Sequence, residues 1–270
     1  MSIDGSQVEN GAMRGEYPSP FSLDNRPTSM AEISSMLQYQ GSVGSVLDGM
    51  QELLTGPKDA SKKDNFLRAL YPPRLLRGVM DYKIAHSDMQ HPEALIEQAV
   101  KMAVGLYQEQ PSAIDQLTVL RAALAPDMLT GEVKQTADLV SYFVTTPENL
   151  AATTQELRSK TLGRDILMIS LGHGGIPGGL DIFSRYTWDN EQTASTFYPV
   201  RFSQHKHGDT TPALTESEST YLKAKVQGKQ VVVFDEDRGQ SKTLETAGEF
   251  FTKALGKPVL LLSTHKPQNV

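Results

Sequence analysis

VVVFDEDRGQSKTLETAGEFF, residues 231–251, runs from four apolar residues through three consecutive acids and a short polar turn into a helical pattern. Val231 to Phe234 are apolar at every position, as in a parallel strand covered on both faces. Asp235, Glu236 and Asp237 leave that strand side by side. Adjacent like charges at the end of a buried strand are costly unless a cation or hydroxyl donors satisfy them. Gly239, Gln240, Ser241, Lys242 and Thr243 follow and open a helix through Thr246, Ala247 and Phe250. Such a turn gathers unpaired N–H groups, hydroxyls and the positive end of a helix dipole, which together suit a phosphate. Carboxylates beside a phosphate nest point to a sugar phosphate. An acidic turn that merely caps the next helix is the plainer alternative.

Working outward, short apolar runs alternate with helical patterns from Gly163 onward: ILMISL, PGGLDIFSRY, TFYPVRF, VVVFDE, KTLETAGEFFTKAL and PVLLLS. Alternation of this kind predicts βαβ units and a mainly parallel sheet. Ligands of open α/β sheets sit beyond the carboxyl ends of the strands, so the segments after Leu171, Phe202, Phe234 and Leu262 are where chemistry belongs. Gly172 and Gly174 begin a dinucleotide-type glycine pattern, but its third glycine falls on Pro177, so that fingerprint fails.

From Ser29 to about Leu162 the pattern is helical, with apolar residues three or four apart in MAEISSMLQ, VGSVLDGMQELL, PEALIEQAVKMAVGLY, SAIDQLTVLRAAL and PENLAATTQELRS. Pro92 and Pro147 suit first helical turns, Gly56 and Gly163 suit helix ends. Met30, Met36, Met50 and Met102 fall at helical spacing and read as core. LYPPRLLRG, residues 70–78, reads as a rigid elbow between helices, with a docking surface as the alternative. Residues 1–28 carry Gly, Ser, Asn and Pro without period and read as a mobile arm. The expected organisation is therefore an arm over 1–28, a helical domain over 29–146 and an α/β domain over 147–270.

Composition narrows the chemistry. The 270 residues carry a net charge of −6, which leaves no basic excess to release counterions from phosphate and argues against nucleic-acid binding. The absence of cysteine excludes disulfides, thiolate catalysis and cysteine-based zinc sites. No run approaches the ~20 apolar residues of a membrane helix, and the polar, acidic start lacks the form of a secretory signal. A cytoplasmic location without membrane contact is the expectation.

The stretch 231–251 resembles the signature of type I phosphoribosyltransferases, in which an apolar strand leads into two acids and a Thr/Ser/Gly turn. The likeness extends over about residues 147–263 and implies a sheet of the phosphoribosyltransferase type preceded by the helical N-terminal domain. It further implies that Asp235 and Glu236 hold the ribose hydroxyls of phosphoribosyl pyrophosphate, and indirectly its Mg²⁺. By the same likeness Gly239, Gln240, Ser241, Lys242 and Thr243 wrap the 5′-phosphate. ILMISLGHGGIPGG is similar to the first strand and pyrophosphate loop of that family, which gives Gly172, Gly174 and Gly175 to the pyrophosphate and His173 a place beside it. FYPVRFSQHKHGDTTPALTES is similar to the second strand and covering loop, so Arg201 and Lys206 would meet the leaving group, with His205 or His207 as further candidates. Glu236 stands where the second acid is normally Asp, and Gly239 where some purine-type members carry a catalytic Asp.

The activity implied is Mg²⁺-dependent transfer of ribose 5-phosphate to a nitrogenous acceptor, a glycosyltransferase reaction of nucleotide metabolism. Self-association into a homo-oligomer is left open. Two other readings stay in view. The same core can serve as a non-catalytic module that binds phosphoribosyl pyrophosphate or a nucleotide for regulation or interaction. Asp235-x-Asp237 after an apolar strand also matches the nucleophile and general acid of haloacid dehalogenase-type phosphatases, though little chain follows to complete that fold.

Overall fold

The computed structural model describes residues 15–22, 27, 29–56, 61–136, 142, 144–172, 174–188, 194–202, 209–236 and 242–264. In chain order the first half forms α1 (Met30–Leu37), β1 (Tyr39–Ser42), α2 (Val43–Thr55), α3 (Lys62–Ala85), α4 (Pro92–Tyr107), α5 (Ala113–Ala123), α6 (Pro126–Thr130) and β2 (Glu132–Gln135). The second half forms α7 (Pro147–Thr161), β3 (Ile166–Leu171), α8 (Gly175–Trp188), β4 (Thr196–Val200), α9 (Glu216–Lys225), β5 (Gln230–Asp235), α10 (Lys242–Leu255) and β6 (Val259–Ser263). The fold is α/β, mostly helical, around a sheet of four parallel strands in the order β4-β3-β5-β6.

Local chemistry sets many of the helix starts. Ser29, Ser42 and Thr146 each accept a hydrogen bond from an N–H of the first turn they cap, satisfying donors that no helical carbonyl reaches. Ser61 with Asp64 and Thr215 with Glu218 form reciprocal capping boxes on α3 and α9. Pro92 and Pro147 occupy first-turn positions, where the missing N–H is no loss.

Residues 70–78 are not an elbow: α3 continues unbroken through Pro72 and Pro73. A proline at position 73 leaves the carbonyl four residues back, that of Ala69, without its helical donor. The buried Tyr107 hydroxyl from α4 donates to that carbonyl at 2.7 Å and takes the donor's place. Tyr107→Phe is expected to lower stability by about 1–3 kcal/mol, because it strips a buried carbonyl of its partner while keeping the ring. A shift of the urea midpoint measures this, and an unshifted midpoint would show that the carbonyl is satisfied otherwise.

The helical half has a small core of its own, around Ile33, Phe66 and Tyr142, but shares the larger one with the sheet. One cluster of buried side chains runs from Val46, Leu76 and Ile96 through Leu167 and Ile182 to Val232 and Phe251. The reason lies at the sheet edge, where α3 and α4 pack against β4 and α8 and cover a strand that would otherwise offer unpaired backbone groups. Lys83 of α3 is buried there against Glu218 of α9 at 2.8 Å, and Glu218 also accepts from the Tyr198 hydroxyl of β4 at 2.7 Å. Glu218 further accepts the Thr215 N–H, so one carboxylate fastens a helix of each half to the sheet.

Residues 15–22 are packed rather than free. Phe21 is buried against Tyr107, and Tyr17 donates to the buried carboxylate of Asp181 on α8 at 3.0 Å. Arg185 pairs with the same carboxylate and lies over the Tyr17 ring, while the Trp188 indole donates to the Gly15 carbonyl. Burial raises the Asp181 carboxyl pKa, with Arg185 opposing that rise. Of the methionines, Met36, Met50 and Met102 are buried as read, but Met30 is exposed at the start of α1.

Candidate functional site

Strand order decides where a ligand belongs. From β3 the chain moves to β4 on one side and then crosses to β5 on the other. The order therefore reverses between β3 and β5, and the region beyond their carboxyl ends is where open α/β sheets place a ligand. The glycine segment follows β3, and the acidic residues end β5.

The loop after β3 depends on glycine for two distinct reasons. Gly172 holds a positive φ of 55°, and its N–H donates to the Val200 carbonyl at 2.8 Å. A side chain there would also meet the Phe202 carbonyl at 2.8 Å, so this turn tolerates only glycine. Gly175 begins α8, and Gly179 one turn later lets that helix sit on the sheet: a Cβ at Gly179 would lie 2.6 Å from Ser170 Oγ and 3.0 Å from the Phe234 ring. Ser170, on β3 beneath this helix, is fully buried and its hydroxyl has no partner among the described residues.

The acid pair leans onto the same loop. Asp235 Oδ1 stands 3.5 Å from the point where a Cβ on Gly175 would be, and Glu236 Oε1 only 1.8 Å from the corresponding point on Gly174. The Glu236 N–H donates to Asp235 Oδ1 at 3.0 Å. Beyond them α10 starts at Lys242, with Thr243 buried in its first turn. Asp235 and Glu236 are thus brought against Gly174 and Gly175, with Gly172 in the same loop after β3. His173, Lys206, Gly239, Gln240 and Ser241 lie outside the described residues, as do His205, His207 and the Asp237 that a phosphatase reading needs.

Glu236 places a carboxylate over the backbone that was expected to take pyrophosphate. An anion reaches Gly174 only when Glu236 turns aside or a cation stands between the two. Two adjacent carboxylates are hard oxygen donors of the kind that hold Mg²⁺ in company with substrate phosphates. Among the described residues no group of three or more His, Cys, Asp and Glu could hold a metal by itself. The donor set therefore fits a Mg²⁺ that arrives with a phosphorylated ligand.

Arg201 follows β4, the neighbour of β3. Its carbonyl accepts from the Ala213 N–H, and its guanidinium reaches Asp81 of α3 at 3.7 Å. Asp81 also pairs with Arg77, one turn earlier on α3, at 3.7 Å. Burial lowers the Arg77 pKa; the Asp81 carboxylate opposes this, and the nearby Arg201 charge adds to it. Arg77 lies within the run LYPPRLLRG, but nothing local in that run joins it to the end of β4.

Two open clefts of about 710 and 730 Å³ lie elsewhere, on either side of residues 15–17 and lined in part by Ala151 and Arg185. They adjoin the carboxyl half of α8, away from the strand ends. Among the described residues no helix is long and apolar enough to cross a membrane. No family model, curated protein or solved structure matches the chain.

Proposed function

We propose that the region beyond the carboxyl ends of β3 and β5 binds phosphoribosyl pyrophosphate together with Mg²⁺, and that the protein transfers the ribose 5-phosphate unit to a nitrogenous acceptor. The observation that carries this reading is the meeting of Asp235 and Glu236 with Gly174 and Gly175 at the reversal point of a parallel sheet. Asp235 and Glu236 accept from the two ribose hydroxyls. Thr243 and the N–H groups opening α10 take the 5′-phosphate, and the backbone at Gly174 and Gly175 faces the diphosphate. Mg²⁺, when bound beside Asp235 and Glu236, neutralises charge on the phosphate oxygens. Arg201 adds positive charge where the leaving group gains negative charge, so the protein's contribution is electrostatic and the acids need not act as bases.

Calorimetry with phosphoribosyl pyrophosphate and Mg²⁺ tests this. Binding to the native chain is expected, and Asp235→Asn with Glu236→Gln should weaken it by about 100-fold or more through loss of charged hydrogen bonds. Affinity unchanged in the double variant would move the site elsewhere. A second reading, a binder without turnover, draws support from Glu236 lying against Gly174. Pyrophosphate release across a panel of bases separates the two, since a binder takes up the ligand and releases nothing.

A further inference from the structure

Resting on that reading, we infer that α3 completes the ligand site: Arg77, held beside Arg201 by Asp81, binds the diphosphate end of the substrate. Three facts converge on this assignment. Arg201 sits between Val200, whose carbonyl holds the Gly172 N–H, and Phe202, whose carbonyl lies against Gly172, so its main chain borders the loop that faces the diphosphate. Arg77 and Arg201 share one carboxylate at 3.7 Å each, which leaves the trio with a net positive charge on partly exposed side chains. Both side chains remain about a fifth to a quarter exposed, partly accessible to a ligand yet shielded enough for charge to count.

The arrangement suits an anion with several oxygens. Guanidinium forks match phosphate geometry in a way that an ammonium does not. Asp81 is a positioning residue here: it keeps two like charges adjacent before the ligand arrives and yields to phosphate oxygens when it binds. This also gives the helical half a chemical task, because without α3 the β4 side of the site would present Arg201 without its carboxylate partner.

The test titrates native chain, Arg77→Gln and Arg77→Lys with phosphoribosyl pyrophosphate and with ribose 5-phosphate, both with Mg²⁺. The expected result is a loss of about 10- to 100-fold for phosphoribosyl pyrophosphate in Arg77→Gln, a smaller loss in Arg77→Lys, and little change for ribose 5-phosphate, which lacks the diphosphate. Equal losses for both ligands would assign Arg77 a structural role and overturn the inference, as would unchanged affinity for phosphoribosyl pyrophosphate. If the native chain binds neither ligand, the functional reading itself falls and takes this inference with it; native binding with an indifferent Arg77 removes the inference alone.

Discussion

Replacing Lys83 with methionine is expected to destabilise the protein by about 3–5 kcal/mol, the usual result of leaving one member of a buried ion pair uncompensated. Glu218 is fully buried and would keep only the Tyr198 hydroxyl and the Thr215 N–H as partners. Burial and the neighbouring Glu218 charge raise the Tyr198 pKa, so this phenol stays protonated and donates throughout the ordinary pH range. Lys83 also donates to the Ala213 carbonyl, in the segment that leads into α9. The loss should therefore appear in the urea midpoint of the whole chain. The exposed pair Lys160–Glu156 supplies the contrast, because surface pairs contribute at most about 1 kcal/mol. A Lys83→Met variant no less stable than Lys160→Met would contradict the role given to this contact.

Gly179→Ala should lower stability by about 1–3 kcal/mol, even though alanine favours a helix over glycine by up to about 1 kcal/mol. The new methyl would stand 2.6 Å from Ser170 Oγ, 3.1 Å from Ser170 Cβ and 3.0 Å from the Phe234 ring. Those atoms belong to the two central strands, so α8 would have to lift from the sheet. Gly174→Ala differs in kind, since the three atoms nearest its methyl all belong to the carboxylate of Glu236, the far end of a flexible side chain. Its melting temperature should stay near that of the native chain while affinity for phosphoribosyl pyrophosphate changes. Thermal melts beside binding titrations check both, and the assignment of roles fails if Gly179→Ala melts with the native chain.

The parallel strands were legible because burial on both faces leaves no room for polar alternation. ILMISL and VVVF spell that condition outright, and β3 and β5 fall on them. The glycines after β3 and the acids after β5 were legible for the same reason, as departures from apolar runs. β1 and β2 were not foreseen: YQGS and EVKQ carry one fully buried side chain between them, Val133, and their pairing joins residues far apart in the chain. The unbroken course of α3 was equally hidden, because Tyr107 of another helix supplies what Pro73 withholds. Met30 follows the helical spacing of a core residue yet faces outward, since spacing names a face and not what covers it. The Arg77–Asp81–Arg201 contact belongs to the same group, set by the docking of α3 on the sheet edge.

The clasp that Tyr17 and Gly15 make on α8 has a practical side. A 14-residue helix is a rod of about 21 Å, and this one carries the glycine turn at its tip and the clasp from its middle, at Asp181, to its butt, at Trp188. Loosening the grip at Asp181 gives such a lever freedom to tilt, and a small tilt at the butt moves the tip. Recombinant versions trimmed past Gly15, or tagged hard against it, would thus be altered proteins rather than shortened ones when ligand affinity is the readout.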